Sequence, residues 1–282
     1  MEHMNKEELT KLIAGLYGSH SGNVLSGEDI IKKYIGTRMF DAPLVGFGSA
    51  DDPLFEEYKK IGVIGPWHIS PAEWLPEAKT VVSLFFPISE EIRVSNREQT
   101  VVGSQQWTYA RIEGQAYIAS FMAALAESLE QAGIKTCVPA LDSRFAMLKA
   151  GKGIEGYPEI DEKTFGSRWS ERHAAYVCGL GTFGLSRGII TEKGMAGRFG
   201  SILLDVELAP DIRKYEGLYD HCIHCNACVR RCPVNAIDPV TGKDHTICMK
   251  NITKSGVLRY PRYGCGLCQT AVPCEFRNPS HK

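Results

Sequence analysis

The chain has 282 residues, with 32 Lys and Arg against 33 Asp and Glu and an apolar share of 44%. That leaves room for one large domain and a small module. No stretch approaches the ~20 apolar residues of a membrane span, and nothing at the N-terminus resembles a signal peptide or a twin-arginine leader, so a cytoplasmic location is expected.

The opening reads as two helices, Glu7 to Tyr17 and Gly27 to Tyr34. Leu44 to Phe47 is a short apolar strand running into a loop at Asp51-Asp52-Pro53, and short helices with proline near the start follow from Pro53 to Ile61 and from Pro71 to Ala78. Thr80 to Phe86 is the clearest strand, β-branched and aromatic and stopped by Pro87. A long helix is expected from Trp107 to Ala132, with Ile118, Phe121, Met122, Leu125 and Leu129 as one apolar stripe and Gly133 as its stop. Lys135 to Leu141 reads as a strand. So does Arg198 to Leu208, where Ile202, Leu204, Val206 and Leu208 alternate with a wetter set. Helices and strands alternate irregularly, which predicts an α+β body over residues 1–210 instead of a doubly wound sheet. Ala209-Pro210-Asp211 is the linker, and residues 211–282 form a second module.

That module holds eight of the ten cysteines: Cys222-x2-Cys225-x2-Cys228-x3-Cys232-Pro233, then Cys248, then Cys265-x2-Cys268-x5-Cys274. Eight thiolates are what two [4Fe–4S] clusters require, and the first four match the bacterial C-x2-C-x2-C-x3-C-P run, whose fourth cysteine ligates the other cluster. The expected partition is Cys222, Cys225, Cys228 and Cys274 on one cluster and Cys232, Cys248, Cys265 and Cys268 on the other. Zinc fits less well, because a C-x2-C-x2-C triplet crowds three ligands where a closed zinc site needs two pairs. His221, His224 and His245 are then outer or surface residues. Cys137 and Cys178 read as small buried hydrophobes.

Charge is unevenly distributed. Residues 211–282 carry eleven Lys/Arg and six Asp/Glu, whereas residues 1–210 carry 21 and 27. A basic module is what two anionic clusters would call for.

Gly179-Leu180-Gly181-Thr182-Phe183-Gly184 satisfies G-x-G-x-x-G. A dinucleotide site needs a strand before it and a helix after it. Here Glu171 to Cys178 reads as helix and Gly188 to Thr191 as extended, so the Rossmann reading is set aside. Three glycines in six residues still imply a tight turn or the close approach of something large and flat.

The segment from Glu171 to Gly184, followed by the cysteine module, resembles the epoxyqueuosine reductase family, relatives of reductive dehalogenases. Tyr109-Ala110-Arg111 is similar to the start of that family's long helix, and Trp74 to Ser83 to its lead into a strand. The resemblance implies a nitroreductase-like α/β body holding a base-off cobalamin, followed by a bacterial-ferredoxin-like module whose two clusters feed electrons to cobalt. It places Glu171 and the backbone of Gly179, Leu180, Gly181, Thr182, Phe183 and Gly184 at the cofactor. Flavin is the weaker alternative.

Two departures stand out. The family's proton-donating aspartate lies six residues before the glutamate, where this sequence has Phe165, and the chain stops at Lys282, just after the cysteines. Both point to a paralogue acting on something other than tRNA, with nucleic acid an unexpected partner. Tyr109, Asp142 and Tyr176 are the candidate proton donors in place of the aspartate. The function expected is an iron–sulfur oxidoreductase that draws on ferredoxin or flavodoxin and reduces a small molecule. The alternative is an electron-transfer protein, such as one reactivating a corrinoid protein, with no substrate of its own.

Overall fold

The computed structural model describes residues 4–148 and 166–281. Its centre is a four-stranded antiparallel sheet in the order β1-β2-β8-β3, built from β1 (Leu44–Ser49), β2 (Thr80–Pro87), β3 (Thr136–Cys137) and β8 (Gly197–Leu204). All eight residues of β2 are buried, because both faces of the sheet are covered. Val82, Leu84 and Phe86 pack toward α1 (Lys6–Ser19) and α5 (Gln105–Gln131), beside Phe121, Met122 and Leu125. Val81 points the other way, into a cluster with Trp169, Ala174 and Val177 at α6 (Glu171–Val177). Period-two alternation thus feeds two cores instead of a core and a wet face.

Short α2 (Leu54–Glu57) and α3 (Pro71–Trp74) lie on the α6 side, and α4 (Glu90–Arg97) leads from the sheet to α5. The pairs β4 (Met147–Leu148) with β5 (Gly166–Ser167) and β6 (Gly181–Phe183) with β7 (Ile189–Thr191) flank α6. The cysteine-bearing segment adds α7 (Ala227–Arg230), the hairpin β9 (Ile237–Asp238) and β10 (Gly242–Lys243), and α8 (His245–Leu258).

Several expected elements are shorter than the sequence suggests. The second N-terminal helix is a single 3₁₀ turn, Lys32–Tyr34. The strand expected from Lys135 ends at Cys137, because Pro139 has no N–H to give and Asp142 N donates back to Val138 O at 3.1 Å, closing a turn. In β8 no wetter face exists, since β2 and β3 flank it and helices cover both sides. Among the described residues no helix is long and apolar enough to cross a membrane.

The module is tied into the body by buried polar contacts. Glu275, 2% exposed, accepts ion pairs from Arg93 at 3.2 Å and Arg97 at 2.8 Å of α4. Asn96 of the same helix donates to Thr270 Oγ1 at 3.0 Å. Asp211, at the linker, pairs with Lys6 and accepts Phe47 N at 2.9 Å.

Candidate functional site: a cavity between the sheet and the cysteine loops

The eight cysteines fall into two groups. Cys222, Cys225, Cys228 and Cys274 surround a small pocket with Ile190, Met195 and Val272. Cys232, Cys248, Cys265 and Cys268 stand on one wall of a cavity of about 880 Å³. The groups are neighbours, because Cys228 of the first lies close enough to Cys268 of the second for mutual repulsion. Burial pushes Cys228 and Cys265 up to about 11, neighbouring thiols adding to the effect. Thiols in such surroundings give up their protons to a bound cation. No three of the described His, Cys, Asp or Glu side chains converge tightly enough to share a single metal ion; thiolates on a four-iron cube sit on separate irons and stand farther apart.

Polar donors already address the second group. Ala236 N donates to Cys232 Sγ at 3.1 Å and Asn251 Nδ2 to Cys265 Sγ at 3.3 Å. Lys243 reaches Cys248, and the thiols of Cys268 and Cys248 hold its ammonium above the usual lysine range despite burial. Gly266 lets this loop lie flat against the body. It has φ +65°, and a Cβ there would meet the Trp107 ring at 2.0 Å.

The rest of the cavity belongs to the body. From α5 come Arg111, Gln115, Ala116 and Ala119, from β8 Gly197, Arg198 and Gly200, and from the head of α6 Glu171 and Arg172. Both Glu171 carboxylate oxygens are buried with no hydrogen bond of normal geometry, and desolvation, partly offset by the nearby Ser201 hydroxyl, pushes this carboxyl up to about 7. Surrounding protein lowers Arg172, partly offset by Cys268 and Cys248, although the open cavity leaves its side chain accessible to water. Arg198 is pulled down to about 9, first by desolvation and then by Arg111 and Arg172.

The candidate proton donors named from sequence do not line this cavity. Tyr109 is 1% exposed in the core, its hydroxyl accepting Ile31 N at 3.1 Å, with Arg262 over its ring. Asp142 is clamped by Arg144, which holds its carboxyl down at about 2. Tyr176 packs on Tyr215 and Phe183, its hydroxyl on Glu216 O at 3.4 Å. Phe165 lies outside the described residues.

The glycine segment is also elsewhere. None of Gly179, Leu180, Gly181, Thr182, Phe183 and Gly184 lines the large cavity; Gly184 touches the small pocket of the first cysteine group. A Cβ at Gly181 would sit 2.0 Å from Ile190 O, so this residue lets β6 and β7 close on each other. Thr182 Oγ1 then accepts His221 N at 2.8 Å, and His221 Nδ1 lies 2.8 Å from Ile190 O. The segment seats the chain leading into Cys222. Glu171 alone of the resemblance-derived residues faces the large cavity. Sequence reasoning missed Arg111, Gln115, Arg172, Arg198 and Lys243. The polar pair Arg111–Gln115, four residues apart on one face of α5, was the available signal.

With this geometry in view, the 4Fe-4S binding domain family matches residues 218–238, which include four of the eight cysteines. An epoxyqueuosine reductase of Francisella cf. novicida (strain Fx1) is 29% identical over 141 residues, 42% of this chain and 38% of that protein. The chain thus spans well under half the length of that curated relative. Among solved structures, the epoxyqueuosine reductase of Streptococcus thermophilus superposes with a TM-score of 0.52 at 17% identity, over 98% of this chain and 68% of that one. An epoxyqueuosine reductase solved with a modified tRNA-Tyr stem loop gives 0.52 at 16% identity, over 96% and 65%. The chain is a mixed helix-and-sheet protein carrying a 4Fe-4S binding segment. Its fold is that of the epoxyqueuosine reductases, which it also resembles in sequence.

Proposed function

We propose that the chain is an oxidoreductase that receives electrons from a ferredoxin or flavodoxin and passes them through two [4Fe–4S] clusters to a corrinoid in the large cavity. The observation that carries this reading is one shared space. Cys232, Cys248, Cys265 and Cys268 face the same 880 Å³ cavity as Glu171 and the arginines of α5, α6 and β8. Its size lies at the upper end of small-molecule sites. Ala116 and Ala119 of α5 and Gly197 and Gly200 of β8 leave room between the longer side chains of those two walls, which suits a broad ring. A corrinoid held there would supply a low-potential metal centre beside the second cluster, and the organic chemistry would be its own.

The protein's own residues do the rest. Cys222, Cys225, Cys228 and Cys274 hold the entry cluster, the other four cysteines the inner one, and residues 211–282 form the module that carries both. Lys243, Asn251 and the Ala236 N–H compensate charge on the inner sulfurs. Glu171 holds a proton at its carboxylate oxygens near neutral pH and is placed to release it to a substrate in the cavity. It takes the part first sought among Tyr109, Asp142 and Tyr176. A small-molecule substrate is the primary reading. The solved relative carrying a tRNA stem loop makes an epoxyqueuosine-modified tRNA the comparison substrate in the assay.

The test is the cofactor inventory of anaerobically purified protein: iron, sulfide, cobalt and flavin per chain, with and without added cobalamin. About eight irons per chain and a stoichiometric base-off Co(II) spectrum are expected. Protein that assembles its clusters but binds no corrinoid would overturn the reading, and released yellow flavin would replace it.

A further inference from the structure

The cavity holds more positive charge than its thiols account for. Arg111, Arg172, Arg198 and Lys243 all line it, and Glu171 is its single described carboxyl. None of the four cations makes an ion pair with a carboxylate among the described residues. The thiols answer part of this charge, because Lys243 and Arg172 both feel Cys268 and Cys248. Arg198 is repelled by Arg111 and Arg172, and the phenol of Tyr263 is the one group offsetting them.

The guanidinium groups of Arg111 and Arg198 are both held in place. Arg111 lies over the Tyr263 ring, 4.7 Å from its centroid, and its buried Nε has no hydrogen-bond partner. Arg198 is fixed by Gln115 Oε1, which accepts from Nε at 3.0 Å and also from Nη2. Gln115 is one turn beyond Arg111 on the same face of α5. The rest of each planar fork is therefore presented to the cavity. Two like charges fixed near each other, with no carboxylate partner among the described residues, are stabilised by an anion that bridges them.

We infer that Arg111 and Arg198 form an anion subsite where α5 and β8 meet at the cavity, built for the phosphate or carboxylate group of a bound ligand. The inference deepens the proposed function by giving its ligand a charged handle, but it requires only that the cavity is a binding site, not that a corrinoid fills it. The anion has two possible sources, a phosphodiester on the cofactor or an acidic group on the substrate.

Cluster-loaded protein is titrated calorimetrically with inorganic phosphate, and separately with cobalamin and with cobinamide, which lacks the phosphodiester. Wild type is compared with Arg198→Gln and Arg111→Gln, each checked for unchanged iron content and melting temperature. Wild type should bind phosphate, and each variant should bind it about 10- to 100-fold more weakly, as expected for loss of a charged donor. If the cofactor supplies the anion, wild type prefers cobalamin over cobinamide, the variants lose that preference, and phosphate competes with cobalamin alone. If the substrate supplies it, both corrinoids bind all three proteins alike, and phosphate still binds the corrinoid-loaded wild type. Phosphate binding without corrinoid binding would leave the subsite standing and remove the corrinoid. The subsite is overturned if the folded variants bind phosphate as wild type does, or if wild type binds none and neither substitution changes the affinity for cobalamin.

Discussion

Replacing Glu171 by glutamine should stabilise the corrinoid-free, cluster-loaded protein at alkaline pH and leave it unchanged in acid. Both carboxylate oxygens are buried with no hydrogen bond of normal geometry, and desolvation outweighs the nearby Ser201 hydroxyl to push the group from 4.5 up to about 7. An acid whose pKa is raised by folding contributes most below its unfolded value, and that contribution is lost as pH rises through the folded one. The window here runs from 4.5 to about 7. A shift of that size corresponds to about 3 kcal/mol at 1.36 kcal/mol per unit. Water reaching the open cavity reduces this to about 2 kcal/mol. Glutamine is never charged, so its advantage over glutamate should grow from nothing at pH 4.5 to about 2 kcal/mol at pH 8, or roughly 4–8 °C in melting temperature. The assay is anaerobic thermal denaturation of both proteins across that range. Infrared spectra should also show a protonated carboxyl band at pH 6 that the variant lacks. A pH-independent difference, or a variant less stable at pH 8, would refute the claim that desolvation dominates at this carboxyl.

Other expectations follow from packing and charge. Gly266→Ala places a Cβ against the Trp107 ring, and the variant should retain roughly half the wild-type iron, with electron paramagnetic resonance showing loss of the inner cluster's signal. Glu275→Ala strips Arg93 and Arg97 of their shared partner; the cost should be about 3 kcal/mol, at the low end for a broken buried pair because Arg97 is a third exposed, and urea unfolding measures it. Burial holds His68 down at about 4 and His173 at about 3. Imidazoles kept neutral by folding stabilise above about 6.5 and lose that contribution as pH falls toward 4, so an acid limb should appear in the stability profile and His68→Phe should shallow it.

The long helix, the central strand β2 and the iron–sulfur signal were readable because each rests on a strict period or spacing. The cavity was not, because it is made by elements far apart in sequence. The matched segment Tyr109-Ala110-Arg111 shows why a motif can mislead about its own members. Successive residues on a helix turn by about 100°, so Tyr109 and Arg111 point to opposite sides. Arg111 faces the cavity, and Tyr109 is left in the core with Ile31 and Arg262 around it. The glycine segment's composition demanded a close approach, and at Gly181 the Ile190 backbone makes one.

The charge asymmetry also acquires a different meaning in the structure. Eleven basic residues in the last 72 suggested compensation of anionic clusters, yet of these Lys243 is the one whose charge interacts with the described inner cysteines. Several others reach outward to the acidic body. Arg213 pairs with Asp52 at 2.6 Å and Arg262 with Glu113 at 2.5 Å, while Arg259 donates to Gly103 O at 3.1 Å and Arg231 to Asn96 O at 3.4 Å. The cations nearest the inner cysteines and the rest of the cavity come mainly from the body, as Arg111, Arg172 and Arg198. Each part therefore supplies charge to the other. The module's arginines hold it on the body, and the body's arginines meet whatever anion lies between them. A net charge counted per segment reports neither destination, because it records how many cations a segment owns and not which way their side chains reach.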